Sequence, residues 1–354
     1  MKRTFLFLLI CLIQWPLAAA EIKTGEYLGA KFVEKPGWFK KSFLDFEDDV
    51  AEATVENKRV MLYFHQEGCP YCAQLVTENF ADPEIEAYVR KHFDGITINM
   101  WGDREVVTVG GMDFTEKTFA AALKVQYTPT VIFLDEQGKV ALRLNGYYPP
   151  AKFRKALNYV AEKKEKSLTF NQFYNLGTSI KAGKLIEEDF FYKESTNLAD
   201  LIKSTDHPIA VFFESTDCEA CEVMHKRILS DKATRELVKK MGNVQFDVFS
   251  NQKITTPSGQ SMTINQWARD LGISYKPSVV FFDSAGEEVM RIEAFLKTFH
   301  FQSVFDYVLE KTYISEPSFQ RYLSARGERL RKAGYDTNIW SYDSGYSSAD
   351  TAVE

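Results

Sequence analysis

The chain has 354 residues, 45% of them hydrophobic and 14% aromatic, with a formal net charge of −6. That length exceeds one ordinary core and predicts two domains of roughly 100 to 150 residues each. The apolar content excludes a largely disordered chain, and the negative charge argues against nucleic acid as a partner.

Residues 1–20 begin with Lys2 and Arg3, continue through an apolar run over residues 4–15 and end in Ala18-Ala19-Ala20. A basic start, a short apolar core and a small-residue site predict a secretory signal cut after Ala20. The run is shorter than the ~20 residues of a membrane span, so no stable span is expected after cleavage. Cys11 lies inside this segment, which leaves four cysteines, all in two C-x-x-C pairs. A secreted protein stapled by disulfides would scatter its cysteines over its loops, whereas this pattern reads as working thiols. The lack of any N-x-S/T sequence points to a bacterial periplasm as the address.

After a helix predicted over residues 46–56, the uncharged run VMLYF at 60–64 has the character of a strand covered on both faces. Glu67 and Gly68 turn the chain, and Pro70 suits the first position of a helix because its missing N–H would be unpaired there. Cys69 then stands at the helix start, where free backbone N–H groups favour a thiolate. It is expected to be the nucleophile, with Cys72 one turn on as the resolving partner. The cysteine helix is expected to extend through Arg90, followed by a strand over 95–100, a polar loop, and a helix over 115–124. Beyond Pro129 come a hairpin of strands 131–135 and 139–144 and a closing helix over 151–164.

The series then repeats. A second pair, Cys218 and Cys221, follows its own apolar run at 209–213; VIFLDEQGKVALRL from Val131 matches VVFFDSAGEEVMRI from Val279, and Pro129 matches Pro277. Cysteines are offset by 149 residues and these prolines by 148, the mark of a tandem duplication. The predicted fold class is α/β, with a mixed central sheet flanked by helices in each copy. Boundaries follow as domain 1 over 21–165, a helical connector over 166–194, domain 2 over 195–315, and a C-terminal helix with a mobile tail over 316–354. The basic run 321–332 is expected to be the solvated face of that helix, and the tail to begin at Tyr335.

A buried strand, a C-x-x-C pair at a helix start, and 55 to 60 residues later a proline before another strand resemble the thioredoxin superfamily. Within the first copy, YVRKHFDGITINMWGDREV is similar to the periplasmic SoxW type. The resemblance implies two tandem thioredoxin-like domains, with Thr128-Pro129 and Lys276-Pro277 at the cis-proline position, where the family receives an extended substrate segment. It implies thiol–disulfide exchange by Cys69, Cys72, Cys218 and Cys221, with no cofactor, on protein or small-molecule disulfides. An upstream membrane or periplasmic redox donor would complete the cycle, and the SoxW-like match favours the reducing direction. Thioredoxins also carry a buried Asp six residues before the first cysteine; Tyr63 and Phe212 stand there instead, so another group, such as Glu67 or water, must take the proton of the resolving thiol.

Blander readings compete. A C-x-x-C staple closes too short a loop to remove much chain entropy, and a shared zinc site would bring its pairs closer in sequence. In the second copy Glu219 disfavours a thiolate at Cys218, which Lys276 reverses only if it points inward. His225, four residues after Cys221, offers a C-x-x-C-x-x-x-H set for copper or zinc, although a solvated helix-surface histidine is the commoner outcome. His65 could stabilise the Cys69 thiolate or simply edge the core. The alternative to an oxidoreductase is a non-catalytic binding or metal-handling module.

Overall fold

The computed structural model describes residues 23–176, 184–193, 196–205, 207–343 and 346–348. The expected signal segment lies outside them. Among the described residues no helix is long and apolar enough to cross a membrane.

A two-residue strand β1 (Tyr27–Leu28) precedes the first copy, which runs α1 (Phe46–Val55), β2 (Arg59–His65), α2 (Pro70–Gln74), α3 (Pro83–His92), β3 (Phe93–Asn99), β4 (Glu105–Val107), β5 (Asp113–Thr115), α4 (Glu116–Ala122), β6 (Thr130–Leu134), β7 (Val140–Asn145) and α5 (Pro150–Ala161). A short helix α6 (Phe170–Tyr174) follows. The second copy repeats the order as α7 (Leu198–Ser204), β8 (Ile209–Glu214), α8 (Glu219–Val223), α9 (Lys232–Val238), β9 (Gly242–Asp247), β10 (Lys253–Thr255), β11 (Ser261–Thr263), α10 (Ile264–Asp270), β12 (Ser278–Phe282), β13 (Glu288–Ile292) and α11 (Thr298–Leu309). The chain closes with α12 (Phe319–Lys332), β14 (Tyr335–Asn338) and β15 (Tyr346–Ser348).

Each copy builds a four-stranded mixed sheet in the same order, β3-β2-β6-β7 and β9-β8-β12-β13. The cysteine strand is central, parallel to β3 or β9 and antiparallel to β6 or β12. Central strands covered on both faces need apolar residues throughout, and Val60 to Phe64 and Ile209 to Phe213 are buried without interruption. One face of each sheet has a core of its own. The other faces share a single core that runs across both copies and takes in Phe319, Tyr322 and Leu323 of α12.

Four expectations need correction. The cysteine helix does not continue to Arg90: α2 passes into a π-helical turn over Leu75–Phe80 and α3 starts afresh at Pro83. Asp82 accepts hydrogen bonds from the Glu84 and Ile85 N–H groups at 2.8 and 3.1 Å, and proline is tolerated only in a helix's first turn. The second copy breaks at the same place, where Asp231 caps α9 after a π-helical turn over Met224–Leu229. The polar loop holds the small hairpin β4–β5. Of the connector, only α6 is α-helical among the described residues, preceded by a single 3-10 turn (Lys164–Lys166), while Phe191 bridges to Asn243 beside β9. The tail is ordered where it is described: β14 pairs in parallel with β1, Tyr27 opposite Thr337, and Ile339 is buried.

The basic face of α12 is also not uniformly solvated. Arg326 is buried, its Nε donating to Asp306 Oδ2 at 2.7 Å, so this face docks the helix on α11. α6 and α12 are themselves repeat equivalents, and each lies on the other copy. The Asn171 amide donates to the Ile273 carbonyl at 2.7 Å, and the Gln320 amide donates to the Gln126 carbonyl at 3.0 Å.

Candidate active site

β2 ends at His65, and the turn that follows passes through Gly68 at φ +70°, a conformation that glycine adopts without steric cost. Cys69 caps α2: its sulfur accepts the Cys72 backbone N–H at 3.0 Å, and Pro70 is the first helical residue. Cys69 and Cys72 form a disulfide with Cα atoms 5.2 Å apart. The Thr128–Pro129 peptide bond is cis. It brings the Thr128 hydroxyl to 3.4 Å from the Cys69 sulfur, and the same hydroxyl accepts from Gln66 Nε2 at 3.0 Å. Cys69 thus has two donors aimed at its sulfur, an arrangement that would favour a thiolate there in a reduced pair.

The first pair is enclosed. Cys69 is 5% exposed and Cys72 2%. Tyr71, between them, is buried against the second copy: its hydroxyl accepts the Lys297 backbone N–H at 2.8 Å, and its ring packs edge-on against Trp340 and His300. Gln66 Nε2 also donates to Gln320 Oε1 at 2.7 Å, tying the turn before Cys69 to α12. What remains open on the cis-proline side is a cleft of about 370 Å³ lined by Cys69, Tyr127, Thr128, Leu296, His300 and Leu323. A second cavity of about 660 Å³ shares Cys69 and the 66–68 turn with that cleft and reaches Cys72, His65, Tyr63, Arg104 and Glu116. The second copy, the tail and α12 wall the first site, and none of the three was expected there. The signal available in the sequence was the match of Gln320 in α12 to Asn171 in α6.

The second pair has the same backbone frame and different surroundings. Cys218 and Cys221 form a disulfide with Cα atoms again 5.2 Å apart, and the Cys221 N–H reaches the Cys218 sulfur at 3.1 Å. Lys276–Pro277 is cis. Where Thr128 offers a hydroxyl, Lys276 sends its ammonium to Asn175 Oδ1 at 3.5 Å and over the Phe249 ring at 4.7 Å. Burial, with Lys152 close by, pulls its pKa down to about 8. It is therefore neither a solvated lysine nor a partner aimed at Cys218. His225 likewise departs from expectation. It is buried, with Nδ1 2.9 Å from Glu188 Oε1 and Nε2 3.1 Å from Glu214 Oε2, so both ring nitrogens are engaged by carboxylates.

A family model described as thioredoxin-like domain matches residues 46–161 and again 197–309. No curated protein matches the sequence. Among solved structures, the chain is similar to a thioredoxin-fold protein from Helicobacter pylori, with 23% identity over 34% of this chain and 87% of that one and a TM-score of 0.31. It is also similar to a thioredoxin from Thermus thermophilus, with 24% identity over 40% of this chain and 89% of that one and a TM-score of 0.28. The C-terminal domain of DsbD from Neisseria meningitidis, in its reduced form, matches with 16% identity over 31% of this chain and 90% of that one and a TM-score of 0.24. The family match spans well over half of the chain and includes both cysteine pairs, so the chain belongs to the thioredoxin-like domain family in tandem and is a thiol–disulfide oxidoreductase.

Proposed function

We propose that this is an exported oxidoreductase whose first copy performs the exchange. Cys69 attacks a substrate disulfide in line, a mixed disulfide forms, and Cys72 resolves it. The observation that carries this reading is the pair of donors on the Cys69 sulfur, the Cys72 N–H and the Thr128 hydroxyl. The second copy lacks the hydroxyl, since Lys276 replaces it. The cleft beside Cys69 and Thr128, about 370 Å³, supports a small-molecule disulfide or one extended protein segment as substrate. The resemblance favours the reducing direction, with a periplasmic or membrane donor returning the pair to the dithiol.

Serine substitution of each resolving cysteine tests this. C72S is expected to hold mixed disulfides at Cys69, and C221S to hold far fewer at Cys218. Trapping at Cys218 alone would reverse the assignment of the copies. A wild-type protein that neither reduces nor forms a model disulfide would end the exchange reading. A Cys69–Cys72 potential more negative than roughly −220 mV fits a reductant, whereas one near −120 mV makes the pair an oxidant. Recovery of a mature chain beginning at Glu21 from a periplasmic extract is the expected sign of export.

A further inference from the structure

A resolving thiol must lose its proton before it can attack, and burial in apolar surroundings raises a thiol's pKa. Cys72, 2% exposed, therefore needs a base. Tyr63 stands where the carboxylate of thioredoxins would be, and burial pushes its hydroxyl further up, so it takes no proton near neutrality.

The 660 Å³ cavity beside the pair supplies another candidate. It is lined by both cysteines and by His65, the last residue of β2, four positions before Cys69. The His65 ring touches the Tyr63 ring, centroids 5.5 Å apart, and among the described residues neither of its nitrogens is hydrogen-bonded to protein. A water occupies about 30 Å³ of liquid, so the cavity has room for one to join imidazole and thiol. We propose that His65 is the proton acceptor for Cys72 in the resolving step. This rests on the exchange reading of the first site.

The charged groups facing the ring are Lys31, Glu34 and Lys35 from the N-terminal segment, Glu67 from the turn, and Arg104 and Glu116 from the far wall. Burial and Lys35 push the imidazole's pKa down, Glu116 pulls it up, and Arg104 pushes it down again; the net direction is down. Glu116 is partly spent elsewhere, on the Asn99 N–H at 2.9 Å and on Arg104 at 2.7 Å. The ring is therefore a neutral base at pH 7.

The second copy shows the same position closed. Glu214 is the repeat equivalent of His65, and its carboxylate is held by His225 at 3.1 Å and by the Gln245 amide at 3.0 Å. Val76, which lines the cavity of the first copy, is the equivalent of His225. Where the first copy has a free imidazole facing a cavity, the second has a carboxylate locked in an ion pair.

In the step itself the Cys72 thiol gives its proton to His65, directly or through one water. The Cys72 thiolate attacks the Cys69 sulfur of the mixed disulfide, and the Cys72–Cys69 bond forms as the Cys69–substrate bond breaks. The electron pair leaves with the substrate sulfur, which takes the proton back. The dithiol is oxidised by two electrons and the substrate disulfide reduced by two.

Reduced full-length protein with Cys11, Cys218 and Cys221 all replaced by Ser, mixed with dithiobis(nitrobenzoate), releases one nitrothiobenzoate when Cys69 attacks and a second when Cys72 resolves. H65Q is expected to leave the first release within about twofold and to slow the second about 100-fold at pH 7, as loss of a general base does. Lys35 is exposed, so K35Q leaves the fold intact; it is expected to move the inflection of the second phase to higher pH. A second phase with the same rate and pH profile in H65Q overturns the proposal, and so does an inflection unmoved in K35Q. Failure of the first release overturns the exchange reading of the site, and the proposal with it, and is seen as a separate phase.

Discussion

Asn145 Nδ2 donates to Glu293 Oε2 at 3.2 Å, and these two residues are the same position of the repeat. Next to them Gly146 faces Ala294, again equivalent positions. Tyr127 and Tyr275, a third such pair, each reach into the other copy: the Tyr127 hydroxyl donates to the Arg291 carbonyl at 2.7 Å, and Tyr275 packs edge-on against Tyr148. A contact in which each residue meets its own counterpart is isologous, the form of a two-fold dimer interface. The duplication has kept such an interface within one chain, and through it each copy's trailing helix lies on the other's cis-proline loop.

Gly146 tests that interface. It has φ +78°, and a Cβ built there would stand 2.2 Å from the Ala294 Cβ. G146V adds backbone strain and a clash that only separation of the copies relieves, so a loss on the order of 2–4 kcal/mol is expected. Urea unfolding measures it, and a variant as stable as wild type would show that the copies do not meet here.

His225 gives the second copy a pH signature. Burial pushes its pKa down, but the hydrogen bonds and charges of Glu214 and Glu188 prevail and the net shift is upward. A histidine raised on folding contributes stability that is complete below its unfolded pKa of about 6.5 and fades as pH rises through the folded value. H225Q leaves Glu214 buried without its cation, at a cost on the order of 3 kcal/mol at pH 6. The gap between H225Q and wild type in thermal unfolding should narrow towards pH 9; a constant gap would mean that the ring is neutral throughout.

Lys276 behaves in the opposite sense. Burial first, and the like charge of Lys152 next, bring its pKa to about 8. Between about pH 8 and 10.4 the unfolded chain holds the proton that the folded one has lost, so stability rises with pH across that window. K276M removes the cost of a buried ammonium and is expected to stabilise the protein by about 1–3 kcal/mol at pH 7. It should also flatten the rise above pH 8. A destabilised K276M would mean that Asn175 and the Phe249 ring more than compensate the lysine.

What the sequence made legible was local. The strand at 60–64 shows in unbroken apolar residues, the Cys69 cap in Pro70, and the duplication in a constant offset. What escaped it depends on partners distant in the chain. β14 exists because Thr337 pairs with Tyr27, and a short polar segment carries no such sign. His225 read as a ligand or a surface group because only Cys221 was near it in sequence, whereas its partners are Glu188 and Glu214. His65 was weighed against Cys69, yet the cavity it lines also holds Cys72, a relation that appears only once β2 and α2 are placed. The restart at Pro83 was readable, since Asp82-Pro83 is a helix start written in the chain.

On the proposed exchange at Cys69, Gln320 is expected to limit how large a substrate reaches the sulfur. Its amide donates to the Gln126 carbonyl at 3.0 Å and its oxygen accepts from Gln66 Nε2 at 2.7 Å, so one side chain fastens α12 to both loops that flank the first pair. A small disulfide is expected to enter the cleft of about 370 Å³ with this clasp shut, and a folded protein to need α12 displaced before its disulfide comes in line. Q320A leaves two polar groups without their partner and loosens the clasp at a cost of about 1–3 kcal/mol. Reduction of insulin is expected to quicken several-fold while reduction of cystine stays within about twofold, because only the bulky substrate meets the helix. Equal changes for both substrates would place α12 outside the path to Cys69 and leave the size limit to the walls contributed by Leu296 and His300.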